Sequence, residues 1–187
     1  NAMYGVDDKW GFGKKATISG FYARTQTPDT TSSEHAFKLL ASYEWNGLRS
    51  SLGYSEVGKG FNPEVGFLLR SAYRKPEASI FKQIRMNGKF GLLEVRPHIT
   101  YRSYWNFDNV LETSYLHVDN HWAWINGLEI HTGINFTTEG VTKPFEISDD
   151  VFVPVGNYHH QEAQIVLMTN LSKPVYLSTR SILGGSF

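Results

Sequence analysis

The sequence predicts an all-β protein, an antiparallel meander of about ten strands that forms a barrel or a barrel-like sandwich. The first observation behind this prediction is a period of two in the hydropathy pattern. Between Leu93 and Tyr101, apolar residues occupy the odd positions and charged or polar residues the even positions. The same alternation recurs from Phe37 to Trp45 and from Leu128 to Phe136. Because successive side chains of a strand point to opposite faces, each segment is predicted to be a strand with one apolar and one polar face.

Turn-forming dipeptides are the second observation, since they divide the alternating segments at short intervals. Asn46-Gly47 and Asn87-Gly88 are typical of tight hairpin turns, because Asn and Gly tolerate the positive φ angles that these turns need. Asn126-Gly127 fits either a turn or a bend within a longer paired region. Together the two signals predict strands near residues 14–27, 34–45, 47–57, 64–75, 77–87, 90–105, 110–119, 121–137, 151–168 and 174–183.

One segment has a competing interpretation as a helix. Ser33 and Glu34, followed by apolar residues up to Leu40, suit an N-capped helix of about two turns. The alternation continues to Trp45, which a helix does not predict, so a strand is favoured. No other segment has a convincing helical period.

Composition limits the organisation and the class of function. The 187 residues carry 18 basic and 18 acidic side chains and no cysteine, which argues against a dedicated nucleic-acid binder and excludes disulfides and thiolate sites. The sequence contains no phosphate loop, dinucleotide fingerprint or nucleophile elbow, and no cofactor is expected. Residues 1–3 are interpreted as a vector remnant, and residues 4–187 as a single all-β domain, a fragment of a longer protein.

Alternating strands suit two different environments. In a soluble sandwich or barrel the apolar face covers a core, whereas in an outer-membrane barrel it contacts lipid and the polar face lines the interior. Aromatic residues at strand ends, such as Trp45 and Trp105, favour the membrane version slightly. Frequent charged residues within 64–87 favour the soluble version. The alternation alone leaves both open.

The polar face supplies most of the candidate ligand-binding residues. Those expected to line an interior are Arg96, His98, Arg102, Glu129 and His131. Trp122 and Trp124 are added because they share one side of a strand. An indole pair of this kind can stack on a sugar ring, belong to a membrane interface or fill a core.

The residues that most resemble a metal site lie close together in the sequence. His117, Asp119 and His121, at positions i, i+2 and i+4, would share one face of a strand at about 7 Å per step. They could ligate zinc or a similar ion if the strand bends or another residue joins them. The alternative is a polar turn, since Asp119-Asn120 also suits a loop. A hydrolase would need these three residues or Glu129, and an enzyme is the less favoured interpretation.

The segment Gly58-Lys-Gly-Phe-Asn-Pro-Glu-Val-Gly-Phe-Leu-Leu-Arg70 is the most distinctive in the chain. It resembles a signature of an uncharacterised bacterial family, domain-of-unknown-function family 5916. Residues 145–147, 153–158, 178–180 and 184–187 agree with it, so the resemblance covers most of residues 15–187. It implies a β-rich region similar to an outer-membrane barrel, preceded in family members by a module similar to family-nine carbohydrate-binding domains. A bacterial cell-envelope location, outer membrane or periplasm, is implied as well.

The leading hypothesis is a non-enzymatic β-barrel-like domain of the cell envelope, in the outer membrane or the periplasm, that binds or passes a surface ligand such as a glycan. The expected partners are a glycan or another small ligand, the outer membrane, and a second copy of the chain at exposed strand edges. The second hypothesis is a soluble carbohydrate- or lipid-binding β-sandwich with Trp122 and Trp124 as its stacking platform.

Overall fold

The structure is a computed structural model, and it describes residues 2–28, 32–63 and 68–185. Strands account for most of these residues. In chain order they are β1 (Ala2–Phe12), β2 (Ala16–Gln26), β3 (His35–Trp45), β4 (Leu48–Val57), β5 (Tyr73–Lys82), β6 (Ile84–Arg85), β7 (Leu92–Trp105), β8 (Leu111–Trp124), β9 (Glu129–Val141), β10 (Phe145–Ser148), β11 (Val151–Val153), β12 (Gly156–Met168) and β13 (Ser178–Gly184). A short 3-10 turn at Lys89–Gly91 precedes β7. The prediction of an all-β protein is confirmed.

The long strands form one antiparallel meander. Their order in the sheet is β1-β2-β3-β4-β5-β7-β8-β9-β12-β13, and the short β6 continues β5 alongside β7. Strands β10 and β11 form a separate two-stranded sheet between β9 and β12. In the described part of the chain, β1 and β13 are the edges of the large sheet. Neighbouring strands are mostly consecutive in sequence. The register of each strand pair therefore determines which side chains lie next to one another on a face.

Register places a polar row directly beside an apolar row. Thr100 pairs with Ser79 and His117, and the same row continues through eight strands: Thr17, Ser42, Ser51, Ser79, Thr100, His117, Asn135 and Glu162. One residue further along the strands the row becomes apolar: Ile80, Ile99, Val118, Ile134, Ala163 and Leu183. We call the two sides of the sheet the polar face and the apolar face.

Burial is inverted relative to an ordinary water-soluble sheet. On the polar face, Asp119 and Asn135 are only 5% and 7% exposed. On the apolar face, Leu52 and Leu183 are 66% and 68% exposed. Polar side chains of one face are therefore sheltered, whereas apolar side chains of the other face are exposed, the reverse of the distribution that water imposes on a sheet with a covered core.

A small apolar cluster lies at one end of the polar face. Phe61, from the loop after β4, packs with Ala23, Ala36 and Val57, and Tyr73 joins them at its edge. The backbone N–H of Asn62 donates a hydrogen bond to Thr25 Oγ1 at 3.2 Å. The first part of the distinctive segment, residues 58–63, is thus a loop that covers this end of the face.

The hairpin predictions hold at both Asn-Gly pairs. Asn46 and Gly47 have φ angles of 47° and 73° and join β3 to β4. Asn87 and Gly88, with φ angles of 51° and 81°, lie between β6 and β7. Residues 35–45 form strand β3, so the helical interpretation of the segment from Ser33 is wrong.

Several predicted boundaries are wrong. The first strand, β1, lies before the first predicted strand, although Tyr4, Val6 and Trp10 already alternate with polar residues or glycine. The predicted break near residue 120 is absent, because β8 continues to Trp124 and the turn falls at Asn126-Gly127. The predicted strands 64–75 and 77–87 correspond to β5 and β6. Residues 64–67 lie outside the described residues, and 68–72 are not strand.

No helix in the described part of the chain is long and apolar enough to cross a membrane.

Candidate functional site

Four histidines and two carboxylates meet on the polar face, and we call this group the histidine cluster. Its members are His98 on β7, His117, Asp119 and His121 on β8, and Glu129 and His131 on β9. They share a face because the register pairs His98 with Asp119, and His121 with His131. Residues 117–121 are inside β8, so the alternative interpretation of a polar turn is wrong.

Two groups of three residues have ligand-type atoms within 4.8 Å of one another. The first consists of His98, His117 and Asp119, and the second of His121, Glu129 and His131. The groups adjoin, since the His98 ring lies 4.9 Å from the His121 ring in an edge-on arrangement. The His121 and His131 rings stack with their centroids 3.5 Å apart.

The carboxylate of Asp119 lies between the two groups. Oδ2 of this residue lies 3.5 Å from His117 Nε2 and 3.6 Å from His121 Nε2. Its other oxygen, Oδ1, accepts a hydrogen bond from the backbone N–H of Thr132 at 3.1 Å. A Cβ on Gly133 would lie only 3.0 Å from Oδ2, so glycine at that position leaves room for the carboxylate.

Hydrogen bonds fix the orientation of two imidazoles. Nδ1 of His98 lies 3.2 Å from the backbone carbonyl oxygen of Arg96, which can only accept a hydrogen bond. Nδ1 of His117 lies 2.6 Å from the side-chain oxygen of Asn135, and Tyr115 donates to the same oxygen. Both imidazoles therefore donate through Nδ1, and each neutral ring keeps an unprotonated Nε2.

The second group is a hydrogen-bonded ion network. Glu129 Oε1 lies 2.8 Å from His131 Nε2 and also accepts a hydrogen bond from the guanidinium of Arg96. The guanidinium also approaches Glu94, whose Oε1 is 3.6 Å from Arg96 Nε. The charge of Glu129 is consequently balanced by protein groups.

An open pocket of about 670 Å³ adjoins the cluster on the same face. His98 and Thr100 form one side, and the turn between β1 and β2 forms another. Its basic side chains are Lys9, Lys14, Lys15 and Arg49, against one acidic residue, Glu44. Arg49 lies over the ring of Phe81 at 4.1 Å, which holds the guanidinium against the pocket wall. The pocket suits a polar ligand with negative charge or many hydroxyl groups.

The structure brings together only part of the predicted site. Arg96, His98, Glu129 and His131 join the three predicted metal ligands in one area. Arg102 is on the same face but lies over the ring of Tyr115, 4.7 Å from its centroid.

Trp122 and Trp124 lie apart from this area. Trp122 pairs with Val95 and Ile130 on the apolar face, and Trp124 ends the same strand. The two tryptophans therefore do not adjoin the ligand candidates of the polar face.

Sequence reasoning missed Asn135, which positions His117, and the basic pocket beside the cluster. Asn135 was visible as a polar position in the alternation of β9, but the sequence could not indicate its partner. Lys9 belongs to β1, before the first predicted strand, whereas Lys14 and Lys15 form the turn before β2, where the sequence predicted the start of the strand 14–27.

Comparison with protein-family models, curated proteins and solved structures found no match for this chain.

Proposed function

We propose that this chain is part of a non-enzymatic β-barrel-type protein of the bacterial cell envelope, with its apolar face in the outer membrane and its polar face lining an interior that binds or passes a ligand such as a glycan. The observation that carries the proposal is the inverted burial of the sheet. Apolar residues such as Leu52 and Leu183 on the apolar face are exposed, whereas polar residues such as Asp119 and Asn135 on the polar face are buried. Lipid is the environment in which that distribution is favourable.

The size of the exposed apolar face supports lipid as its partner. Fully burying one Leu or Ile side chain contributes roughly 1.5–3 kcal/mol, so an uncovered row of such residues is costly in water. The row Ile80, Ile99, Val118 and Ile134 is continuous across four neighbouring strands. Scattered surface residues would not form such a row.

Strand length also supports the proposal. The nine longest strands contain between 10 and 14 residues. A tilted strand needs roughly 9–11 residues to cross a bilayer. The strands are therefore long enough to cross, and the antiparallel meander is the topology of outer-membrane barrels.

Aromatic residues are placed near the strand ends. All five tryptophans of the chain, Trp10, Trp45, Trp105, Trp122 and Trp124, lie within two residues of the end of a strand. At the opposite end of β1 and β3 the apolar face carries Tyr4 and Phe37. Trp and Tyr prefer the interface between lipid and water, where the ring is apolar and the N–H or O–H is hydrated.

Closure of the sheet is the finer part of the proposal. The outer edges of β1 and β13 carry backbone groups that neighbouring strands leave unpaired in the described part of the chain. Pairing of these edges, with each other or with further strands, would close a barrel and satisfy them. A second copy of the chain could also pair with these edges, because it carries the same unpaired backbone groups.

The soluble β-sandwich hypothesis requires a layer over the apolar face. Outside the large sheet, the described residues form one further sheet, the hairpin of β10 and β11. This hairpin has seven strand residues, whereas the apolar face extends over ten strands. Burial thus favours the membrane version over the sandwich.

A pair of arginine substitutions tests the proposal. Leu52 is on the apolar face, and its neighbour Ser51 lines the pocket on the polar face. In lipid, Leu52→Arg is expected to destabilise the folded protein by about 2–4 kcal/mol, whereas Ser51→Arg should cost much less. The measurement is urea unfolding of liposome-reconstituted protein, followed by circular dichroism.

In water the expectation is different. Leu52 is already 66% exposed, so Leu52→Arg should change the stability by about 0.5 kcal/mol or less. A neutral Leu52→Arg variant, or failure of the unmodified chain to enter liposomes, would overturn the proposal.

A further inference from the structure

We infer that the polar face carries a mononuclear divalent-metal site of the zinc class, in which His98, His117 and Asp119 are ligands and His121 is the fourth. The inference does not depend on whether the apolar face contacts lipid. The spacing of residues 117–121 alone does not define this site, because His98 comes from the neighbouring strand β7.

The distances within the group fit metal ligands better than hydrogen bonds. A tetrahedral zinc ion with ligand bonds of about 2.0–2.1 Å holds its ligand atoms about 3.3 Å apart. Asp119 Oδ2 lies 3.5 Å from His117 Nε2 and 3.6 Å from His121 Nε2. Those separations are too long for good hydrogen bonds and close to the spacing around one ion.

The three histidine rings lie close together and come from two neighbouring strands, β7 and β8. The centroid of the His98 ring is 5.2 Å from that of His117 and 4.9 Å from that of His121. A single strand spaces i and i+2 side chains about 7 Å apart, so residues 117, 119 and 121 alone would be a poor chelate. His98, paired with Asp119 in the register, lies between the other two rings and completes the group.

The hydrogen bonds made by the Nδ1 atoms of His98 and His117 are typical of metal-ligating histidines. Ligating histidines almost always donate the other ring N–H to a carbonyl, an amide or a carboxylate oxygen. His98 donates to the backbone carbonyl of Arg96, and His117 donates to Asn135. Asn135 is itself held by Tyr115, whose hydroxyl donates to it at 2.9 Å. Both Nε2 atoms are thereby free to bind a cation.

The charge of Asp119 gives the independent argument. Its side chain is only 2% exposed, and no Lys or Arg nitrogen of the described residues lies within 4 Å of its carboxylate. A buried carboxylate needs a compensating positive charge. A divalent cation between Asp119 and the imidazoles supplies that charge.

The carboxylate of the second group, Glu129, already has a positively charged partner. Glu129 is already neutralised by Arg96 and hydrogen-bonded to His131. A second cation there would have to displace the guanidinium. The site is therefore assigned one ion, and His131 acts through its stacking contact with His121.

Zinc titration of the whole chain tests the inference. The protein is stripped with a chelator, and Zn²⁺ is added in competition with a chromogenic chelator, in the buffer or detergent that keeps it monodisperse. The expected result is one Zn²⁺ per chain. Asp119→Asn, which keeps the oxygen that accepts from Thr132, should weaken binding at least about tenfold, since loss of even an outer-shell partner costs 10–100-fold.

His159→Ala is the matched control. His159 is exposed, on the opposite side of the sheet, and bonded to Thr138 at 3.0 Å. It should bind Zn²⁺ like the unmodified chain. Zn²⁺ should also raise the midpoint of thermal unfolding of the unmodified chain but not of Asp119→Asn, which keeps the test informative if the variant is less stable.

Cobalt gives a separate readout of the ligands. Co²⁺ in the same site should show the intense visible absorption of four-coordinate cobalt, and His98→Ala should abolish it. The inference is overturned if Zn²⁺ binds no more tightly than to surface histidines, or if Asp119→Asn and His98→Ala bind as well as the unmodified chain.

Discussion

Glycine makes room for the charged side chains that cross the polar face. Lys38 on β3 reaches Glu77 on β5, with Nζ and Oε1 3.1 Å apart, although β4 lies between them. The position between them is Gly53, where a Cβ would meet Glu77 Cγ at 2.8 Å. Any larger residue there would displace the carboxylate from its two lysine partners, Lys38 and Lys75.

Gly53→Ala is therefore expected to lower the free energy of unfolding by about 1–3 kcal/mol, the usual cost of overpacking. Gly5→Ala is its control, because a Cβ at Gly5 would make only ordinary contacts at 3.5 Å or more. Denaturant unfolding of both variants gives the comparison. Equal stability of the two variants would mean that the ion pair across β4 is not constrained by Gly53.

At the residue scale, the sequence predicts which residues share a face but not which of them meet. The spacing of His117, Asp119 and His121 correctly predicted one common face. The approach of His98 depends on the register between β7 and β8, which is fixed by pairing over the whole hairpin. A shift of one residue would have turned His98 to the other side of the sheet.

At the level of elements, a tight hairpin fixes the register of the two strands that it joins. At the β3–β4 turn, Asn46 and Gly47 both have positive φ angles, and Trp45 pairs with Leu48 immediately outside the turn. A Cβ on Gly47 would lie 2.7 Å from the backbone carbonyl oxygen of Gln83. The turn thus needs glycine both for its φ angle and for its contact with the end of β5.

Gly47→Ala should destabilise the protein by about 1–3 kcal/mol, because the new Cβ meets both a left-handed backbone and a carbonyl oxygen. Gly11→Ala, in β1, serves as control, since nothing lies within 4 Å of its Cβ position. The readout is the urea midpoint. An unchanged midpoint for Gly47→Ala would contradict this prediction, because it would show that the β3–β4 turn does not require glycine at position 47.

Element boundaries were predicted well where a turn signal was strong and poorly where the alternation had to be read alone. The Asn-Gly pairs at 46 and 87 were placed correctly. The polar dipeptide Asp119-Asn120 was a misleading turn signal, because backbone pairing with β7 and β9 keeps it extended. The predicted break between strands 64–75 and 77–87 is also absent, because Pro76 lies within β5 opposite Tyr54, where the pairing with β7 is interrupted.

For the whole molecule, the sequence left open which face of the strands is sheltered. A period of two is the same whether apolar residues cover a core or contact lipid. Only the arrangement of ten strands in one sheet reveals that polar residues such as Asp119 and Gln164 are buried while Leu52 and Ile80 are exposed. The proposed membrane location follows from that distribution.

The most direct measurement of this central claim is size-exclusion chromatography with light scattering, with circular dichroism on the same peak. Without detergent, we expect the exposed apolar face to cause aggregation, and with detergent we expect a monodisperse β-rich species. A monodisperse β-rich monomer or dimer in detergent-free buffer would contradict the claim, because its apolar face would then be stable in water or covered by protein.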